Sequence, residues 1–220
     1  MKKEHARTVF GCASVLLSYP DETSFGQDLA AVAKALESLP TGAARGHLER
    51  CCRWLSAMSA LEAAATYVEA FDLRRKRSLY LTYYRHGDSR ERGLALAALA
   101  GAYRAAGFGL APGELPDYLP ALLELAASGE AGQALLCEHK AAVNALRVEL
   151  EDARSNYAWA AAAVSGALGP LDRAGHAVLA RYRELGPPSE RVGLEPFAPP
   201  EALVPPGDDR GAATVVFSHK

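Results

Sequence analysis

The apolar residues of this chain recur at intervals of three and four almost from end to end, a period that commits it to packing helix against helix. Val9, Cys12, Ala13 and Leu16 mark a first stripe, and Phe25, Leu29, Val32 and Leu36 a second. Leu48, Cys51, Cys52, Leu55 and Met58 mark a third, and Leu61, Ala64, Val68 and Phe71 a fourth. The breaks lie between them. Tyr19-Pro20-Asp21 interrupts the first pattern, because proline disfavours helix in the residue before it and Asp21 can cap the second helix. Leu39-Pro40-Thr41-Gly42 ends the second. Four such stripes can close a bundle.

Beyond Gly87 the same reading continues. Asp88-Ser89-Arg90-Glu91 has the form of a capping box and opens a long helix. Its Leu94, Ala97, Ala98, Gly101 and Ala105, with Tyr103, predict close approach by a neighbour until Gly107 and Gly109 stop it. The next helix is predicted to start at about Asp117, with Pro120 in its first turn, and to run through Leu122, Leu123 and Leu125. One amphipathic helix is expected from Gly132 to Leu150, then one through Tyr157, Ala161, Val164 and Leu168, and one through Leu171, Ala174, Val178, Tyr182 and Leu185. From Gly186 proline and glycine take over, which predicts a tail that is disordered or laid across the surface, with Leu194, Pro196 and Phe197 able to pin its first half. The fold class is therefore all-α: a single-domain multi-helix bundle over 1–185, followed by a proline-rich, largely irregular C-terminal tail over 186–220.

One stretch stands apart. Tyr67 to Arg92, YVEAFDLRRKRSLYLTYYRHGDSRER, interleaves tyrosines and Phe71 with seven Lys/Arg and four Asp/Glu. Aromatic rings beside guanidinium groups suit a recognition surface. A core helix pair with a solvated basic turn fits the residue types equally well. Within the stretch, residues 79–84 read as helix or strand. Helix is expected, since no second strand is available to pair with them and an isolated strand leaves its backbone groups unpaired.

Conventional chemistry is sparse. With 220 residues, half of them hydrophobic, the chain can bury a core without disulfides or metals. Cys12, Cys51, Cys52 and Cys137 form no CxxC pair and the six histidines are scattered, so the thiols read as small core hydrophobes in a reducing compartment and no metal site is expected. There is no phosphate-cradling GxxxxGK[ST] and no GxSxG nucleophile turn, so no catalytic residue is assigned. A net charge of -2 argues against general nucleic-acid binding. The basic run Arg74 to Arg77 can meet phosphates or stand as a solvated turn beside Glu69 and Asp72. Asp117 and Glu124 flank an apolar face, as cap and surface group or as contacts for a basic partner. No apolar run is long enough to span a membrane, and the opening MKKEHARTVFGCASVLLSYP reads as an amphipathic helix rather than a signal peptide, which predicts a cytoplasmic protein without stable membrane association.

The segments YVEAFDLRRKRSLYLTYYRHGDSRERGLAL and LPDYLPALLELAA, with VFGCASVLLSYPDE and VGLEPFAPP, resemble the NarJ family of nitrate reductase molybdenum cofactor assembly chaperones, themselves distantly related to the TorD/DmsD group. The resemblance implies an all-helical cytoplasmic chaperone and not an enzyme. Its partner would be the catalytic (alpha) subunit of a respiratory nitrate reductase, bound through its N-terminal segment. The chaperone would hold that subunit competent for molybdenum cofactor and iron-sulfur cluster insertion before membrane attachment. No cofactor is expected to be bound permanently, only transient contact with molybdenum cofactor during insertion, with cofactor biosynthesis proteins as further partners and no nucleic acid. An apolar groove for a client helix needs aromatic walls and charged rims. On that footing Tyr67, Phe71, Tyr80, Tyr83 and Tyr84 are expected at the groove walls or just behind them, Arg75, Arg77 and Asp117 at the rim, with Tyr118 beside Asp117. The family usually carries Asp-His where this chain has Asp117-Tyr118, so a group titrating near neutrality is replaced by one that does not. Two other readings remain: an enzyme or direct carrier of molybdenum cofactor, which would retain pterin when purified, and a nucleic-acid regulator acting through Arg74 to Arg77, whose binding would collapse with salt.

Overall fold

Proline and glycine punctuate the helices where the sequence places them. α1 (Lys3–Leu17) ends as Ser18 turns extended two residues before Pro20. α2 (Phe25–Leu36) begins after a turn that Asp21 holds through the backbone N–H groups of Thr23 and Ser24. α3 (Ala43–Ser56) comes after the Pro40–Gly42 break. The computed structural model describes residues 2–186. The expectations for the tail, including its pinning through Leu194, Pro196 and Phe197, lie outside the described residues. Among those described, every regular element is helical, as the apolar period requires.

α1 is the axis of the core. Its Val9, Phe10, Ala13, Leu16 and Leu17 are buried against α2, α3, α7 (Leu119–Ser128) and α10 (Ala158–Leu168). Each fully buried leucine contributes about 1.5–3 kcal/mol of hydrophobic stabilisation. α8 (Glu130–Glu138) crosses α7 at Gly132, where a Cβ would stand 2.2 Å from the Leu125 carbonyl oxygen, so only glycine fits. α9 (Lys140–Asp152) lies between α10 and α11 (Arg173–Leu185), and Gly186, at φ 73°, ends α11 in the left-handed region that glycine adopts most easily.

Several local expectations are corrected. The expected helix from Gly132 to Leu150 is two helices, since His139 at φ −96°, ψ 11° leaves the helical region between α8 and α9. On α4 (Ala60–Tyr67) the buried face is Ala63 and Tyr67, while Leu61 is 79% exposed. The chain then widens into a π-turn over Val68–Asp72, closed by the Leu73 N–H on the Val68 carbonyl at 3.2 Å, which rotates Ala70 and Phe71 inward. The reciprocal capping box sits at Ser59 and Glu62, not at Asp88. Among the described residues α6 (Arg90–Ala105) buries only Leu99 and Tyr103, and Ala97, Ala98 and Ala105 of its small-residue stripe are exposed. Of the stripe expected on α11 only Tyr182 is buried. Cys137 is exposed, unlike the other three thiols.

Candidate functional site

Residues 79–82 are not helical: Tyr80 stands in an isolated antiparallel bridge, and Leu81 and Thr82 turn the chain towards the next helix. The partner of this segment is residues 117–119, too short for any periodic signature: the Leu81 N–H donates to the Asp117 carbonyl at 2.9 Å and the Leu119 N–H to the Leu79 carbonyl at 2.8 Å, with Tyr80 and Tyr118 paired antiparallel. This two-bond bridge sets Tyr80 beside Tyr118, ring centroids 5.6 Å apart. It also leads into α5 (Tyr83–His86) at one end and α7 at the other.

Beneath the bridge lies a buried polar knot. Asp117 has no exposed surface and does not cap α7, whose N-cap is Tyr118. Its Oδ2 accepts from the Thr82 N–H at 3.2 Å and from the Thr82 hydroxyl, and stands 3.6 Å from the Arg92 guanidinium. Its Oδ1 is buried without a partner. Arg92 also donates through Nε to the Thr82 hydroxyl at 3.2 Å, and lies 5.9 Å from the ring centroids of both Tyr80 and Tyr83. A carboxylate at the entry to α7 thus fixes an arginine that supports two tyrosine rings.

Above the knot opens a cavity of about 550 Å³. Six of the nine sequence-derived site residues line it: Tyr67, Phe71, Arg75, Tyr80, Tyr83 and Tyr118. Tyr67 and Tyr118 join hydroxyls at 2.8 Å across it, and Tyr67 packs on Phe71 at 4.9 Å. Burial pushes both phenols up, Tyr118 to about 12, so both remain neutral donors and acceptors. Tyr80, half out in solvent, is raised by burial, then by Glu114 and Asp117. Arg75 is exposed at the mouth.

The other three residues stand outside the cavity. Asp117 is in the knot. Tyr84 is core: its ring meets Tyr182 at 5.0 Å and its hydroxyl donates to the Ser78 carbonyl at 2.8 Å. The Tyr182 hydroxyl donates to the Lys76 carbonyl at 3.0 Å, so two tyrosines pin the basic turn Arg75–Arg77 from below. Arg77 is half-buried beside that turn, its guanidinium pKa lowered by burial and by Arg74. Sequence reasoning missed Tyr19, Arg92 and Glu114, which also line the cavity. In the sequence Tyr19 is marked only as the residue before a proline. Arg92 closes the aromatic-basic stretch, yet nothing local marks it as the one reaching back to Asp117.

Among the described residues no helix is long and apolar enough to cross a membrane, and no group of three His, Cys, Asp or Glu is arranged to hold a metal ion. A family model described as nitrate reductase delta subunit matches residues 24–163. The chain is 40% identical over 158 residues to the nitrate reductase-like protein NarX of Mycobacterium tuberculosis, covering 71% of this chain and 24% of that protein. It is 32% identical over 160 residues to the probable nitrate reductase molybdenum cofactor assembly chaperone NarJ of Bacillus subtilis, covering 72% and 86%. It is 40% identical over 113 residues to the nitrate reductase molybdenum cofactor assembly chaperone NarJ of Escherichia coli K12, covering 50% and 48%. The chain therefore spans about a quarter of the length of the Mycobacterium tuberculosis relative that it matches.

Proposed function

We propose that this chain, which belongs to the nitrate reductase delta subunit family, is an assembly chaperone for a nitrate reductase and takes the N-terminal segment of the catalytic subunit as a helix in the aromatic cavity. The observation that carries the reading is the cavity itself. Six aromatic rings form its walls while Arg75 stands at its mouth, the composition a helix-in-groove site needs for apolar anchors and a charged register. Two relatives named as NarJ assembly chaperones support the chaperone part of the reading.

In this reading the chain performs no catalysis. It holds the client in the cytoplasm before membrane attachment, while molybdenum cofactor and iron-sulfur clusters are inserted. The cofactor is cargo passing into the client, with transient contact at most, and cofactor biosynthesis proteins are the natural further partners.

Calorimetric titration of the chain with a peptide of about the first 15 residues of the co-encoded catalytic subunit tests the proposal; as a helix it spans roughly 22 Å. Saturable binding at micromolar or tighter affinity is expected. It should weaken in Tyr80→Ala and Tyr83→Ala, whose side chains are not core, with helix content unchanged. No saturable binding between about pH 6 and 8 would overturn it.

A further inference from the structure

A second cavity, of about 490 Å³, lies between the end of α1, the turn into α2, and the end of α7. It contains none of the nine site residues expected from the sequence. Tyr19 lines both this cavity and the aromatic one, and its ring stands nearly perpendicular to that of Tyr67 at 5.4 Å. Leu16, Phe25, Leu29 and Leu55 give the second cavity an apolar lining.

Its charged lining is of one sign. Asp21, Asp28 and Glu124 contribute carboxylates, and no lysine or arginine lines it. Asp21 is occupied in holding its own turn, and Asp28 accepts from the Ser24 hydroxyl at 2.6 Å. Glu124 has no cationic partner among the described residues. Tyr157 also lines the cavity. It is 1% exposed, wedged by ring contacts with Trp54 and Phe71, and its hydroxyl is buried without a hydrogen-bond partner. A buried phenol with nothing to bond is unusual and leaves a hydrogen bond to be made. The aromatic cavity is different: Arg74, Arg75 and Arg92 are balanced there by Asp72, Asp88 and Glu114.

We propose that the two cavities are one polarised site, and that the acidic cavity receives the positively charged, amino-terminal end of the client helix while the charge-balanced aromatic cavity receives the rest of it. The inference rests on the client-peptide reading and adds its direction. A helix carries partial positive charge at its N-terminus and negative charge at its C-terminus, so its N-terminus lies more stably in the cavity that holds only carboxylates than in the one where carboxylates and guanidinium groups balance. The occupant is accordingly an amphipathic segment with a free amine or basic side chain in its first turn and an apolar anchor beside it. The Tyr157 hydroxyl bonds a polar group of that first turn.

The full chain is titrated with the same 15-residue peptide, with its α-amine free or acetylated. Acetylation should weaken binding about two- to fivefold, the size of a solvent-screened ion pair. That difference should vanish in the Asp28→Asn, Glu124→Gln double variant. Tyr157→Phe should weaken the free-amine peptide about two- to tenfold, one hydrogen bond's worth, while leaving thermal stability unchanged or raised, because it deletes an unpaired buried hydroxyl. A nitroxide on the peptide's first residue should broaden amide resonances of Ser24 to Leu29, and one on its last residue those of Arg74 to Tyr83. The reverse broadening pattern, or acetylation without effect on a peptide that still binds, overturns the polarity and leaves the chaperone reading standing. A peptide that does not bind at all overturns that reading and the polarity with it.

Discussion

Asp117→Ala should destabilise the fold by about 3 kcal/mol. The figure comes from the contacts the side chain holds. Its buried Oδ2 accepts two hydrogen bonds from Thr82 and faces Arg92 at 3.6 Å. A hydrogen bond to a charged group contributes about 1.5–3 kcal/mol, and breaking a buried pair by removing one member costs about 3–5 kcal/mol. Arg92 keeps 20% of its side chain in water, which relieves part of its loss, so the lower end applies. For a domain of this size the melting temperature should fall by roughly 6–12 °C. Urea unfolding monitored by circular dichroism gives the free energy, and a double-mutant cycle with Thr82→Ala should show coupling of about 1–2 kcal/mol. A loss under about 1 kcal/mol, or strictly additive single variants, would refute the view that this knot frames the site.

Three other expectations come from single features. Gly132→Ala forces a Cβ against the Leu125 backbone and should cost about 2–3 kcal/mol, whereas Gly93→Ala on the open face of α6 should stabilise by about 0.5–1 kcal/mol; equal effects in denaturant titration would contradict the close α7–α8 crossing. Burial holds His139 below the ordinary imidazole value of 6.5, outweighing the neighbouring Glu138 and Asp117. The unfolded chain therefore takes up that proton first, and stability is lost as pH falls below about 6.5 towards the lowered folded value; His139→Gln should flatten this slope in unfolding measured from pH 7 to pH 5. Tyr118, raised to about 12, stays neutral across the physiological range, so Tyr118→His should add a pH dependence to client-peptide binding near neutrality that the native chain lacks, read by titration at pH 6, 7 and 8.

The helices of the first half were legible because their ends are chemically marked. Pro20, Pro40 and Gly42 break the helices in any tertiary context, and the core stripes of α1, α2 and α3 are buried as read except at Phe25, half-buried, and Met58, half-buried and beyond the end of α3. The errors are local. Nothing in the residue types at 138–140 marks His139, at φ −96° and ψ 11°, as leaving the helix. The face of α4 was misread because Leu61 is more apolar than Ala63, yet Ala63 and Tyr67 are the buried pair; the π-turn that follows then widens one turn, which a fixed period of 3.6 cannot register, and Phe71 is buried with Ala70. The S-x-x-E pattern at Ser59 was as visible as the one at Asp88, and only the former closes both of its bonds. In the site, the aromatic-basic stretch and the LPDY segment were both conspicuous, and the bridge between 79–81 and 117–119 brings them together. Their division into cavity wall, knot and core was not legible, because Tyr83 and Tyr84 are adjacent in sequence and differ only in which way one short helix presents them. The acidic cavity had no local signature at all, being assembled from α1, α2, α3, α7 and Tyr157.

The burial of the thiols has a practical side. Burial, chiefly, pushes Cys12 up to about 11, Cys51 to about 12 and Cys52 upward as well, so none of the three presents a reactive thiolate to reagents near neutral pH. Cys137 is the one exposed thiol of the four, on α8 facing the space towards α6 and α11. An unaltered chain should therefore take a single maleimide dye, at one known address and away from both halves of the client site, and report on complex formation without any engineered cysteine.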